Sequence, residues 1–269
     1  MIEAIAERIK ALPPLPKSFH QMNEIFHNSE SSVGDLARVI EQDPMLVANL
    51  LKVANSPLYG FRREIKNVVQ AVSLFGMSTT RSLVTDMSIK KLLQVDMAPY
   101  GISPEEFALI SGMQSALMMR WYTKVDPKKL DMLFLASLLQ ETGKILIADE
   151  VVKNDETYQF RSEIENCINV ADVEKMFVGM NSSDVAALIF KHWKFDERMV
   201  DAIAHSESWN DACDEIRPYA VALKIVKTAL PINAPLSERS LNLALGLLEK
   251  EQLDTDSFLE AVKKLKESY

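Results

Sequence analysis

Asp43-Pro44-Met45-Leu46-Val47-Ala48-Asn49-Leu50-Leu51-Lys52-Val53-Ala54-Asn55-Ser56-Pro57-Leu58-Tyr59-Gly60 reads as one helix with both ends written into it. Asp43 is a capping residue, and Pro44 takes the first helical position, where its missing N–H costs nothing. Met45, Leu46, Leu50, Val53 and Ala54 recur at helical spacing. Asn55 and Ser56 favour caps and turns, and Pro57 cannot continue the hydrogen-bond ladder, so the helix stops there. Gly60 is free to take the positive φ of a turn.

The same grammar extends in both directions. Residues 1–11 form an amphipathic helix carrying Ile2, Ile5 and Ile9, broken by Leu12-Pro13-Pro14-Leu15-Pro16. A helix over 17–28 follows. Ser32 and Asp35 make a capping box ahead of Val33, Leu36, Ala37 and Ile40. After a loop over 58–66, two helices occupy 67–75 and 78–94, with Gly76 between them. Ser103-Pro104-Glu105-Glu106 opens a helix to about Tyr122, and Asp126-Pro127 opens the next, with Leu130, Leu133, Phe134, Leu138 and Leu139. Gly143 interrupts it and 144–151 continues as helix. One or two helices cover 156–177, and others 181–191, 197–204 and 218–230. Two polar-faced helices fill 237–268. No strand pattern exceeds about four residues, so the expected fold is all-α. The expected divisions are an N-terminal helical subdomain (1–98), a helical bundle (99–236) and C-terminal helices packed on it (237–269).

The chain has 269 residues, with 38 acidic against 30 basic, for a formal charge of −8. At 48% hydrophobic and 25% charged it has the composition of a packed globular protein, which excludes general disorder. Only 8 glycines weigh against a Gly-rich nucleotide fold or a β-sandwich. The acidic balance repels a phosphate backbone, and no basic stretch carries interleaved aromatics, so nucleic acid is not an expected partner. Cys167 and Cys213 form no CxxC pair and read as reduced cytosolic thiols. The charged N-terminus does not resemble a signal peptide, and no uncharged run reaches the ~18 residues of a membrane span. A cytoplasmic protein without membrane insertion is expected.

Generic catalytic signatures are absent: there is no P-loop, G-x-G-x-x-G, H-E-x-x-H or G-x-S-x-G. An ordered set of other motifs is present. Leu12-Pro13-Pro14-Leu15-Pro16, Ile40-Glu41-Gln42-Asp43-Pro44, Val53-Ala54-Asn55-Ser56-Pro57-Leu58-Tyr59-Gly60 and Ala71-Val72-Ser73-Leu74-Phe75-Gly76 resemble the HDOD domain family in order and spacing. The resemblance extends through Leu138-Leu139-Gln140-Glu141-Thr142-Gly143-Lys144 into 187–193 and 200–207, covering about residues 12–230. HDOD domains are helical relatives of the HD phosphohydrolases, so the resemblance implies an HD-like helical bundle. It also implies bacterial signalling, where such domains occur alone or beside cyclic di-GMP domains and are mostly taken as non-catalytic outputs.

An HD phosphohydrolase gathers His and Asp side chains on one or two divalent metals, which lower the pKa of a water that attacks a phosphoester. Carried over by resemblance, the first His falls at Gln114, the His-Asp doublet at Gln140-Glu141 and the next His near Asn181. A later His matches His205, and the last Asp falls on the acid-free segment 218–230, near Lys224. Only Glu141 and His205 keep a donor of suitable type, because neutral amides bind transition metals poorly. The expectation is no catalytic residue, no metal and no cofactor. Gln140 and Glu141 then become polar groups inside a bundle, bonded to one another or to water. Asn55, Ser56, Pro57, Tyr59 and Gly60 are expected to form a structural turn that also offers an interaction loop, near the basic residues Lys52, Arg62, Arg63 and Lys66.

These readings imply a non-catalytic signalling or output module acting through protein–protein contacts. Its expected partner is another signalling protein, such as a response regulator, a receptor or a cyclic-dinucleotide protein. Two alternatives stand beside it. One is a receptor whose emptied pocket holds a small phosphorylated or nucleotide ligand. The other is a residual metal-dependent phosphohydrolase using Glu141 and His205.

Overall fold

Helices begin where capping chemistry puts them. The computed structural model describes residues 1–94 and 96–268, and no strand occurs among the described residues. The helices are α1 (Ile2–Lys10), α2 (Lys17–His27), α3 (Val33–Ile40), α4 (Pro44–Ala54), α5 (Val68–Phe75), α6 (Met77–Leu93), α7 (Pro104–Val125) and α8 (Leu130–Leu139). They continue with α9 (Gly143–Lys153), α10 (Thr157–Asn166), α11 (Val170–Val178), α12 (Ser182–His192), α13 (Glu197–Ala204), α14 (Arg217–Ala229), α15 (Glu238–Lys250) and α16 (Thr255–Glu267). The fold is all-α, as expected.

The capping boxes form as read. Ser32 N–H donates to Asp35 Oδ2 at 2.8 Å while Asp35 N–H donates to Ser32 Oγ at 3.3 Å. Ser103 and Glu106 repeat the exchange at 2.7 and 3.1 Å. Asp43 Oδ1 accepts from Met45 N–H at 2.9 Å. Asp126-Pro127 differs from expectation: it opens a 3-10 turn, Pro127–Lys129, before α8 starts. The stretch 156–177 resolves into two helices, because Asn169 caps a fresh start at α11.

The compact units do not follow chain order. One unit is Pro13–Gln94 with Val262–Tyr269, and the other is Met1–Leu12 with Val95–Ala261. The expected N-terminal subdomain, 1–98, thus has its first twelve residues in the larger unit. The reason is α1, whose Ile5 and Ile9 are buried and whose Arg8 pairs with Asp149 on α9. It packs on α9 and α12.

In the smaller unit, Leu36, Ile40, Leu50, Ala54, Val68 and Val72 are buried. The Asn55 side chain fastens the loop after α4. Its Nδ2 donates to Ile65 O at 2.8 Å and to Leu51 O at 2.9 Å, and its Oδ1 accepts from Ile65 N–H at 2.8 Å. Pro57–Tyr59 makes a 3-10 turn that ends at Gly60 with φ +65°, a left-handed value that favours glycine. Tyr59 and Phe61 both meet Phe75 edge-on, with centroids 4.9 and 5.1 Å away. Arg62 and Arg63 are left exposed at the loop tip.

In the larger unit, α7 is buried along most of its length and packs on α8 and α14. Gly143 opens α9 where α9 crosses α12. A Cβ there would lie 2.0 Å from the Ser182 carbonyl oxygen and 2.8 Å from Ala186 N. Gly143, expected as an interruption, is where two backbones approach closely. Among the described residues, no helix is long and apolar enough to cross a membrane.

Candidate functional site

The helices of the larger unit converge on a buried polar centre. Gln114 projects from α7, Gln140 and Glu141 from the turn between α8 and α9, and Lys144 from the first turn of α9. Glu174 comes from α11, Ser182 and Ser183 from the start of α12, Ser206 and Glu207 from a 3-10 turn after α13, and Lys224 and Lys227 from α14. Gln114, Gln140, Glu141, Lys144, Glu174, Ser182, Ser183 and Ser206 are buried there, where a polar group without a partner is costly.

Gln114 joins the doublet. Its Nε2 donates to Glu141 Oε1 at 3.0 Å and to Leu230 O at 2.9 Å, while its Oε1 accepts from Gln140 Nε2 at 2.8 Å. Gln140 and Glu141 are therefore linked through Gln114 and not directly. Gln140 Oε1 is buried without a hydrogen bond.

Lys144 is 1% exposed and its ammonium has three partners: Glu174 Oε1 at 2.6 Å, Ser182 Oγ at 2.8 Å and Glu141 Oε2 at 3.0 Å. Glu174 also accepts from the Tyr100 hydroxyl at 3.0 Å and from Ser182 N–H at 2.6 Å. Lys227 donates to Ser183 Oγ at 2.9 Å and lies 3.1 Å from Glu207 Oε1 and 3.9 Å from Glu141 Oε2. Ser206 donates to Ile203 O at 2.8 Å, so the 2.9 Å bond between Ser183 and Ser206 runs from Ser183 to Ser206. Lys224 pairs with the other oxygen of Glu207.

The centre thus balances Glu141, Glu174 and Glu207 against Lys144, Lys224 and Lys227. Burial pushes the Glu207 carboxyl up, and Lys227 and Lys224 more than reverse this, holding it at about 2 against an ordinary 4.5. Burial likewise opposes ionisation of Glu141, and Lys144 and Lys227 win, so its pKa is lowered. Burial lowers Lys227, but Glu141 and Glu207 overcome that and raise it. All three stay charged at neutral pH.

A carboxylate with a depressed folded pKa stabilises fully above its unfolded value and loses this as pH falls through the folded one. Stability should therefore decline from about pH 4.5 towards pH 2, with Glu207 contributing about 3 kcal/mol. Urea midpoints measured across that window should fall more steeply for the wild type than for Glu207→Gln. Parallel profiles would remove Glu207 from the account.

The other sequence-derived positions go elsewhere. Asn181 is 2% exposed and spends its Oδ1 on capping α12, accepting from Ser183 N–H at 2.8 Å and Asp184 N–H at 3.0 Å. His205 Nδ1 bonds Asp201 O at 2.9 Å on its own helix, and the adjacent Ser206 and Glu207 enter the centre instead. Lys144, Glu174, Ser182, Ser183, Glu207 and Lys227 were not picked out from sequence. A signal existed for the lysines: Lys144 stands one turn after Glu141, and Lys224 and Lys227 interrupt an apolar run one turn apart.

An HD metal would need imidazole and carboxylate donors facing one point. Here the amides of Gln114 and Gln140 stand at two such positions, and two ammonium groups already approach Glu141 Oε2. Among the described residues, no three His, Cys, Asp or Glu side chains gather where they could hold a metal ion. The donor set does not fit a divalent metal.

Comparison with known proteins agrees with this architecture. A Treponema pallidum protein of uncharacterised role is 29% identical over 91 residues, which span 34% of this chain and 18% of that protein. A virulence factor of Campylobacter jejuni shares the fold at TM-score 0.60 and 24% identity, with 100% of both chains covered. A candidate signal transduction protein of Marinobacter aquaeolei superposes at TM-score 0.71 and 20% identity, over 99% of this chain and 63% of that one. At such identities the structural likeness is one of fold. The HDOD domain model matches residues 12–209, well over half of the sequence, and on that match the chain belongs to the HDOD domain family.

Proposed function

We propose that this protein is a non-catalytic signalling module that works through protein–protein contacts. The observation that carries the reading is the pair of ammonium groups, Lys144 and Lys227, at 3.0 and 3.9 Å from Glu141 Oε2. The one carboxylate that stands at the HD doublet is neutralised by two ammonium groups. A divalent cation placed there would meet like charge at short range, and no activated water follows. The centre instead ties α7, α9, α11, α12 and α14 together as a polar core.

The loop held by Asn55 supports the contact role. Arg62 and Arg63 sit exposed on a segment whose ends are already fastened, so little ordering remains for a partner to impose. The partner class in this reading is another signalling protein, such as a response regulator, a receptor or a cyclic-dinucleotide protein.

Purified protein should carry no stoichiometric Mn, Fe or Zn by elemental analysis. Its turnover of bis(p-nitrophenyl) phosphate with added manganese should equal that of Glu141→Ala. Stoichiometric metal together with activity lost in Glu141→Ala would overturn the proposal. Affinity capture from native cells should recover a stable signalling partner.

A further inference from the structure

We infer that a cavity beside the charged centre binds a small organic anion with a planar or apolar body, the chemistry of a nucleoside monophosphate. This goes beyond the non-catalytic reading and does not rest on it. The cavity measures about 520 Å³, within the ~300–1,000 Å³ of small-molecule sites. Glu141, Lys144, Glu207, Lys224 and Lys227 line it on the side of the centre, and Arg239 and Asn233 elsewhere.

Charge accounting assigns the anion. Lys144, Lys224 and Lys227 are matched by Glu141, Glu174 and Glu207. Glu165, also on the wall, is held by Arg161 at 3.3 Å. Arg239 lines the cavity from the first turn of α15, and among the described residues it has no carboxylate partner. A guanidinium offers phosphate a bidentate, charge-assisted pair, and the N-terminus of α15 adds positive potential at the same place.

The rest of the wall assigns the body. Ile168, 72% exposed, and Leu243, 42% exposed, are large apolar side chains on the cavity lining. They offer apolar surface that a ring can cover. Asn233 donates its Nδ2 to Ile164 O at 2.9 Å, which leaves its Oδ1 for an N–H on the ligand. A nucleobase supplies both the flat face and the N–H donors.

The test is calorimetric titration of the full chain with AMP, GMP, CMP and UMP, the parent nucleosides and inorganic phosphate. We expect saturable binding of at least one nucleotide and affinity about tenfold weaker for its nucleoside. Arg239→Ala, at an exposed position, should keep the wild-type melting temperature and bind about tenfold more weakly. Ile168→Asp should also weaken binding. No saturable binding at millimolar nucleotide, undiminished affinity in Arg239→Ala, or inorganic phosphate binding as well as any nucleotide would each overturn the inference. Hydrolysis of a bound nucleotide would sink the non-catalytic reading and leave this site standing, so the two failures are distinct.

Discussion

Alanine at position 143 should cost the protein about 3 kcal/mol or more, enough to keep the larger unit from folding at modest temperature. The added methyl carbon would lie 2.0 Å from the Ser182 carbonyl oxygen, 2.8 Å from Ala186 N and 2.9 Å from the Ser182 carbonyl carbon. All three atoms are main chain, so no rotamer change relieves the clash. Shifting α12 away would also pull Ser182 from Lys144, Ser183 from Lys227 and Ser182 N–H from Glu174. Steric and polar penalties therefore add. Gly246→Ala is the matched control: its Cβ would enter open space within α15, where alanine should stabilise by ~0.5–1 kcal/mol. Urea unfolding followed by circular dichroism reads both. An unchanged midpoint for Gly143→Ala would mean that α9 and α12 stand farther apart than described.

Lys144→Met is expected to destabilise by about 3–5 kcal/mol, because it strips the counter-charge from buried carboxylates and leaves them uncompensated. Glu174, fully buried, would keep only the Tyr100 hydroxyl and Ser182 N–H, and Glu141 would keep Gln114 and the more distant Lys227. Adding Glu174→Gln removes one of the stranded charges and should restore part of the loss. A double-mutant cycle on urea midpoints should give a coupling of about 2 kcal/mol. Additive effects within about 0.5 kcal/mol would show that the two groups do not act as an ion pair.

The sequence was most readable where chemistry is local. Ser32, Asp43 and Ser103 each satisfy N–H groups within three residues, and all cap helices. The family motifs led to Gln114, Gln140 and Glu141, which meet. The remainder of the centre was hidden by distance along the chain. Lys144 meets Glu174 and Ser182, and Lys227 meets Ser183 and Glu207, through pairings that only tertiary folding creates. A lysine on a helix usually lies in solvent, so each looked like surface until its partners were placed. The His205 assignment shows the finer limit: two residues along the chain separate a ring bonded to its own helix from the Glu207 carboxylate that reaches inward.

One consequence follows from the way Asn55 fastens its loop. The amide hydrogen of Ile65 is held by that single side chain and not by a helical ladder. Its exchange with deuterium must await release of Asn55, so one backbone proton times the opening of the whole segment between them. A partner that docks on the Arg62-Arg63 tip would slow that proton before any larger rearrangement was visible, and the loop carries its own clock.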